Sequence, residues 1–287
     1  MSATLALPML RRIGRELRAI WPFFAIFGGF ALVALLAPLI APYDPNSQNL
    51  LARLKPPGTQ LRGVLYLLGS DEVGRDLLSR LIYGARVSLM VALLSVLVST
   101  LLGSFLGMVA GFYRGAVEMI IMRLVDIVLS IPAILLAIIT VAVLGPGLEK
   151  LVLVLGFTRW PRYARVAYGQ TLGVMAMPYL RASRFAGART WRLLTRHVLP
   201  NIAGALIVVA TLEFGLMVLF EAGLSFLGLG VQPPMPSWGS ILSVGRNYMA
   251  TAWWIATFPG LCLFLLVLSI NLIGDHARDR LDPRERR

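Results

Sequence analysis

Four stretches of this chain, 19–43, 87–113, 127–148 and 247–274, contain no Asp, Glu, Lys or Arg. Each exceeds the roughly 20 apolar residues that carry a helix across the hydrocarbon core of a bilayer. Backbone N–H and C=O groups find no partner in lipid, so such runs must bond internally as helices. Two further stretches are apolar but interrupted: 202–230 contains Glu213 and Glu221, and 151–166 gives way to Arg159, Arg162 and Arg165. A span built on the latter must be short, tilted or protected by neighbouring helices. The expected architecture is therefore an all-α integral membrane protein with six transmembrane helices.

Composition agrees. Hydrophobic residues make up 57% and charged residues 14% of the chain, and the mean hydropathy is +0.77, whereas about a quarter of a soluble domain is charged. A net charge of +13 in a soluble chain would suggest nucleic acid. Here the basic residues lie mainly between apolar runs, where the positive-inside rule accounts for them, and no nucleic-acid partner is expected. The lone Cys262 falls in an apolar run, which leaves no disulfide framework and no CxxC pair. Arg11, Arg12, Arg15 and Arg18 precede a run too long for a signal-peptide core, so that run reads as a retained first span.

Six spans place both termini on one side. The N-terminal segment, the second and fourth loops and the tail together hold 19 Lys and Arg, against 8 in the other three loops. That asymmetry puts the termini in the cytoplasm. The expected organisation is a cytoplasmic segment (1–18), a first transmembrane helix (19–43) and an external loop (44–86) folded as a small ordered element. A core of five transmembrane helices (87–274) follows, with a cytoplasmic loop at about 167–200, and then a cytoplasmic tail (275–287).

The most basic stretch is "LRASRFAGARTWRLLTRHVLPN" (180–201). Arg189, Arg192 and Arg196, three and four apart, would share one helical face and Trp191, Leu194 and Val198 another. Gly187 would permit a turn between two short helices, and Leu199-Pro200 would open the next span. On its own the stretch is a topology signal that also touches lipid phosphates. It resembles, however, the cytoplasmic loop of binding-protein-dependent ABC importer permeases, with the pattern EAA, Gly, then I-x-L-P. Arg181, Ala182 and Ser183 stand at the EAA positions, Gly187 at the glycine, and His197, Leu199 and Pro200 at the end. Arg181 replaces the usual Glu and Ser183 the second Ala.

Three more stretches resemble the peptide/nickel subgroup of that family, and within it the second, C-type permease. They are "LGSDEVGRDLLSRLIYGARVSL" (68–89), "EAGLSFLGLGVQPPMPSWGSIL" (221–242) and "FPGLCLFLLVLSINLIGDHARDRLDP" (258–283). The resemblance implies an ABC importer type I permease with a cytoplasmic coupling helix, in a bacterial inner membrane. It also implies four partners, namely a homologous B-type permease, two ABC ATPase subunits and an external substrate-binding protein. Di- or oligopeptides are the implied cargo, with nickel or another small solute as the alternative. The implied coupling residues are Arg181, Ala182, Ser183, Arg184, Gly187, Trp191, Leu199 and Pro200.

Physical readings apart from the family are as follows. Gly223, Gly228 and Gly230, with Ala222 and Ser225, offer a small-residue end where another helix can approach, and Trp238 is expected at the membrane interface. Asp126 is expected to pair locally beside Arg123. Glu213, Glu221 and Asn271 are candidates for the translocation path or for helix packing: Glu221 reads as a buried hydrogen-bonding group with path lining as the alternative, Asn271 as glue between helices, and Glu213 either as a partner of the second permease or as a cavity-facing charge. His197 and His276 have no partner spaced for a metal. No GxxxxGK[ST] loop occurs, so no cofactor is expected on this chain and ATP with Mg belongs to partner ATPases. A secondary transporter using Glu213 as an ion site is the rival; it calls for internal repeats and broken mid-membrane helices, neither of which the sequence displays.

Overall fold

A computed structural model describes residues 6–281, with the side chains at 6–19, 181 and 281 outside the described set. Eleven helices and one small hairpin follow one another in this order. Helix α1 (Ala6–Leu35) and the single turn α2 (Ala37–Ile40) precede a 3-10 turn, Leu50–Ala52, and the hairpin β1 (Thr59–Leu61) and β2 (Val64–Tyr66). Then come α3 (Leu77–Tyr113), α4 (Gly115–Ser130), α5 (Ala133–Leu144), α6 (Leu148–Met175), α7 (Pro178–Phe185) and α8 (Thr190–Leu193). After a π turn at Leu194–Val198, α9 (Leu199–Phe226), α10 (Trp238–Arg246) and α11 (Trp254–Leu281) complete the chain.

Among the described residues, α3, the continuous rod Thr190–Phe226 and α11 are long and apolar enough to cross a membrane, and α4 with α5 form a fourth if taken as one broken span. The apolar part of α1, Ile20–Leu35, is shorter than a span, and α6 does not pass on composition. Helix limits differ from the sequence expectation in three places. The run 19–43 bends at Leu36, where α1 ends and α2 begins. The run 127–148 is not one helix: Pro132 forces Ile131 into extended backbone (φ −95°, ψ 130°), and α4 and α5 meet at 90°. A broken helix, which the sequence reading did not find, is therefore present. Finally, the run 247–274 becomes helical only at Trp254.

The α3–α6 pair is the backbone of the fold, and its closeness comes from missing side chains. Gly103, Gly107 and Gly111 recur every fourth residue on α3 and lie directly under α6. A Cβ built on Gly103 would stand 2.3 Å from the Trp160 carbonyl oxygen, and one on Gly107 would stand 2.3 Å from that of Ala164. This is the small-xxx-small packing that lets helices approach where burial of apolar surface gives no driving force. One turn outward, Ser99 Oγ donates to the Gly156 carbonyl at 2.9 Å and extends the seam.

The segment before α3 is short of regular structure but well bonded. Strands β1 and β2 pair antiparallel around Arg62-Gly63, both with positive φ (49° and 82°), as a two-residue hairpin turn requires. Asp71 accepts from Arg75 Nε at 2.6 Å and from the Val73 and Arg75 amides. Asp76 caps α3 by accepting from the Ser79 amide at 2.8 Å, while burial pushes its carboxyl above the ordinary value. Trp254 Nε1 donates to the Ser70 carbonyl at 3.1 Å and fastens this segment to the start of α11.

Candidate functional site

Two of the quoted motifs, more than 130 residues apart in sequence, meet at one buried polar node. Glu221 of α9 is fully buried and accepts from Ser88 Oγ of α3 at 2.8 Å and from Ser225 Oγ at 2.7 Å. The Trp238 amide donates to Ser88 Oγ at 3.3 Å, and its indole N–H donates to the Leu81 carbonyl at 2.9 Å. Trp238 is thus buried at 1% exposure rather than seated at an interface, because Gly84 leaves room for its ring. Another helix does approach the small-residue end of α9, as expected, at Ala222 and Ser225. Gly239 of α10 is the residue that presses on Ala222, Gly230 folds back on Ser225, and Gly223 has nothing within 4 Å.

A second cluster carries charge. Glu213, 1% exposed, receives Arg159 in a two-point pairing (Nε at 2.8 Å, Nη2 at 3.1 Å) and Arg162 Nη1 at 2.9 Å. Arg159 also lies over the Phe220 ring, 5.1 Å from its centroid. Glu213 therefore has its charge partners on α6 of its own chain, and its edge also lines a cavity, in keeping with the cavity-facing alternative. Asp126 of α4 pairs with Arg165 of α6, not with Arg123. These pairs explain how α6 holds three arginines: two acids on neighbouring helices face them. The same three residues are not loop charges, although the sequence tally counted them so.

The third region is the basic stretch. α7 ends at Phe185, and the Ala188 amide donates to the Ser183 carbonyl at 3.2 Å across Gly187, whose φ is +80°. The turn at Gly187 between two short helices is as the sequence suggested. α7 and α8 are accordingly separate pieces. Leu199-Pro200 opens α9, as expected, although the rod already begins at α8.

One face of this region is anchored. Leu180, Leu193, Leu194 and Val198 are buried with Phe112, Tyr163 and Ile202. The other face is free: Arg189, Arg192 and Arg196 are exposed, and so are Phe185 at 92% and Trp191 at 68%. Trp191 accordingly does not share the buried face with Leu194 and Val198. Ala182 and Arg184 are exposed, Ser183 Oγ donates to the Tyr179 carbonyl at 2.9 Å, and the Arg184 guanidinium lies 5.5 Å from the Phe112 ring centroid. The Arg181 side chain lies outside the described residues. Asn271 of α11 abuts Gly215 of α9, where an added Cβ would be 2.7 Å from its Oδ1.

Sequence reasoning missed three features: the glycine seam of α3, Phe185, and the Arg159–Glu213–Arg162 triad. The seam was visible as G-x3-G-x3-G, and Phe185 as a lone aromatic among arginines.

With this geometry in hand, comparison with known proteins is informative. Residues 103–287 match the family described as "Binding-protein-dependent transport system inner membrane component", and residues 21–57 match "N-terminal TM domain of oligopeptide transport permease C". The chain is 46% identical to the di/tripeptide transport system permease protein DppC of Pseudomonas aeruginosa over 88% of its length and 83% of the relative's. It is 48% identical to the dipeptide transport system permease protein DppC of Escherichia coli K12, over 88% and 84%. Among solved structures, an inward-facing form of the MetNI methionine ABC transporter superposes with a TM-score of 0.55 at 22% identity, covering 70% of this chain and 95% of that one. That last likeness is one of fold, and it places the chain in the type I permease architecture.

Proposed function

This chain belongs to the binding-protein-dependent transport system inner membrane component family, and from that membership we propose that it is the C-type permease subunit of an ATP-driven importer of di- or oligopeptides. The observation that supports this cargo is identity of 46% and 48%, across 88% of the chain, to permeases of di- and tripeptide systems. The chain spans a bacterial inner membrane six times, with α1 and α6 completing the set and both termini cytoplasmic. It forms the path together with a homologous B-type permease and receives cargo from an external binding protein. ATP and Mg are bound by two separate ATPase subunits.

In this reading the exposed face of the 180–201 stretch docks on an ATPase. Phe185 and Trp191 supply apolar area at the contact, and Arg184, Arg189 and Arg192 supply charge. Because Leu193, Leu194 and Val198 are packed into the core and α8 runs on into α9 as one rod, a displacement at Trp191 is carried into α9, with Leu180 tying α7 to the same cluster. The importer alternates between inward-open and outward-open packings of the permease pair, and the nucleotide state of the ATPases biases the balance at this loop.

The test is uptake of a labelled dipeptide into proteoliposomes holding the complete importer, with ATP hydrolysis followed in parallel. Wild type is compared with Gly187→Pro and with the double reversal Arg181→Glu/Arg184→Glu. The proposal expects variants that assemble but lose cargo-stimulated hydrolysis. Unchanged stimulation and uptake would remove the coupling role and leave the arginines as a topology signal.

A further inference from the structure

Arg162 and Glu213 sit near the midpoints of α6 and α9, about 20 Å from either helix end at ~1.5 Å per residue. Arg162 lies five residues, ~7.5 Å at ~1.5 Å per residue, inside the expected start of the cytoplasmic loop at about 167, so the cluster sits in the cytoplasmic half of the span. Inside the hydrocarbon a guanidinium is costly where it faces lipid tails. Yet the side chains of Arg162 and Arg165 are each 55% exposed. They line a cavity of about 440 Å³ whose remaining wall is Leu129, Val166, Val209, Leu212 and the edge of Glu213. That volume falls in the range of small-molecule sites, roughly 300–1,000 Å³, and the lining is of the same kind, apolar with a few placed polar groups.

The charges in this cluster do not cancel. Arg159 already satisfies Glu213 through two hydrogen bonds, and Arg165 is paired with Asp126. Arg162 reaches Glu213 through Nη1 alone, which leaves its remaining N–H donors for the cavity. Three guanidiniums face two carboxylates, so one positive charge is in excess where a small anion could enter. That excess lies one helical turn inward of the Arg165–Asp126 pair. A planar fork of N–H donors selects a carboxylate, which it can grip with two parallel bonds.

We propose that the cavity between α6 and α9 binds the carboxylate of the cargo as it crosses, with Arg162 as the gripping residue and Arg165 as its cationic neighbour. This inference rests on the peptide reading above. A terminal carboxylate is common to every linear peptide whatever its side chains, and a site for it would let one path serve many sequences.

The experiment uses the complete importer in proteoliposomes with excess binding protein and compares uptake of a dipeptide with uptake of its C-terminal amide. The variants are Arg162→Gln and Arg165→Gln, with Arg159→Gln as a contrast. Any preference of the binding protein is common to all variants and cancels when the acid-to-amide ratio is compared with that of wild type. The proposal expects Arg162→Gln to lower that ratio on the order of tenfold, the scale of one lost charge-assisted hydrogen bond. Arg165→Gln should lower it less, and Arg159→Gln should reduce uptake of both peptides alike. Equal loss of both peptides in Arg162→Gln would overturn the proposal and point to an acid of the second permease as the natural partner of this cation. An unchanged acid uptake would also overturn it. Failure of the wild-type importer to carry either peptide would sink the peptide reading itself, an outcome separate from a working importer whose ratio does not move.

Discussion

Substituting Gly107 by alanine adds one methyl group in the tight seam between α3 and α6. Its Cβ would fall 2.3 Å from the Ala164 carbonyl oxygen, 2.7 Å from Ala167 Cβ and 2.9 Å from the Tyr168 amide nitrogen. Two of these three neighbours are backbone atoms of α6, so no rotamer change relieves the clash and the helices must part by about 1 Å to restore ordinary contact. Parting forfeits a sizeable share of each contact along the seam, and overpacking of this kind costs about 1–3 kcal/mol. The same change at Gly173, on the open side of α6 with nothing within 4 Å, should instead stabilise by about 0.5–1 kcal/mol through helix propensity. Thermal unfolding of the purified importer in detergent, read as loss of the native oligomer, compares the two. The double variant Gly103→Ala/Gly107→Ala should cost less than the sum of its parts, because one displacement relieves both clashes. A Gly107→Ala protein as stable as Gly173→Ala would show that α3 and α6 are not in this contact, and the account of how Arg159 and Arg162 are positioned would go with it.

Removing Glu213 alone should be severe: Glu213→Ala strands the buried Arg159 guanidinium, a loss of about 3–5 kcal/mol, whereas the paired change Arg159→Met/Glu213→Leu should recover most of the assembled protein in a yield and melting assay. Glu221→Leu leaves the Ser88 and Ser225 hydroxyls without their acceptor at roughly 1–3 kcal/mol for each buried orphan, while Glu221→Gln keeps an acceptor and should melt close to wild type; equal melting of the two would refute the node. Gly187→Ala asks a residue with a Cβ to hold a φ of +80°, a strain of about 1–2 kcal/mol, and should lower ATP-coupled uptake more than assembly; a fully coupled variant would mean the turn tolerates other geometries.

What the sequence disclosed and what it concealed divide along physical lines. The long apolar runs announced helices because lipid allows little else, and α3, α9 and most of α11 appear where those runs lie. Gly187 and Pro200 announced a turn and a helix start because each residue restricts the backbone in a known way. The break at Pro132 was equally local, but a run of apolar residues on both sides hid it, since hydropathy does not register direction. The partners of Asp126, Glu213 and Trp238 were hidden for another reason: Arg165, Arg159 and Leu81 lie 39 to 157 residues away, and nothing in a linear pattern states which faces meet.

The arginines of α6 show why that distinction matters for function. Read along the chain they look like the fraying end of a weak span and add to a charge tally that orients the protein. Placed in the fold, Arg159 is the bidentate partner of Glu213 and Arg165 the partner of Asp126, so most of the desolvation cost of α6 is offset by acids on α9 and α4. What is left over is Arg162, half-exposed at mid-helix with donors to spare. A chain selected only to stay in the membrane would gain by losing that residue, because a second cation on one carboxylate adds repulsion from Arg159 and little else. Its presence on the cavity side of α6, opposite the glycine seam that fixes the helix to α3, is what a transport path needs and a structural span does not.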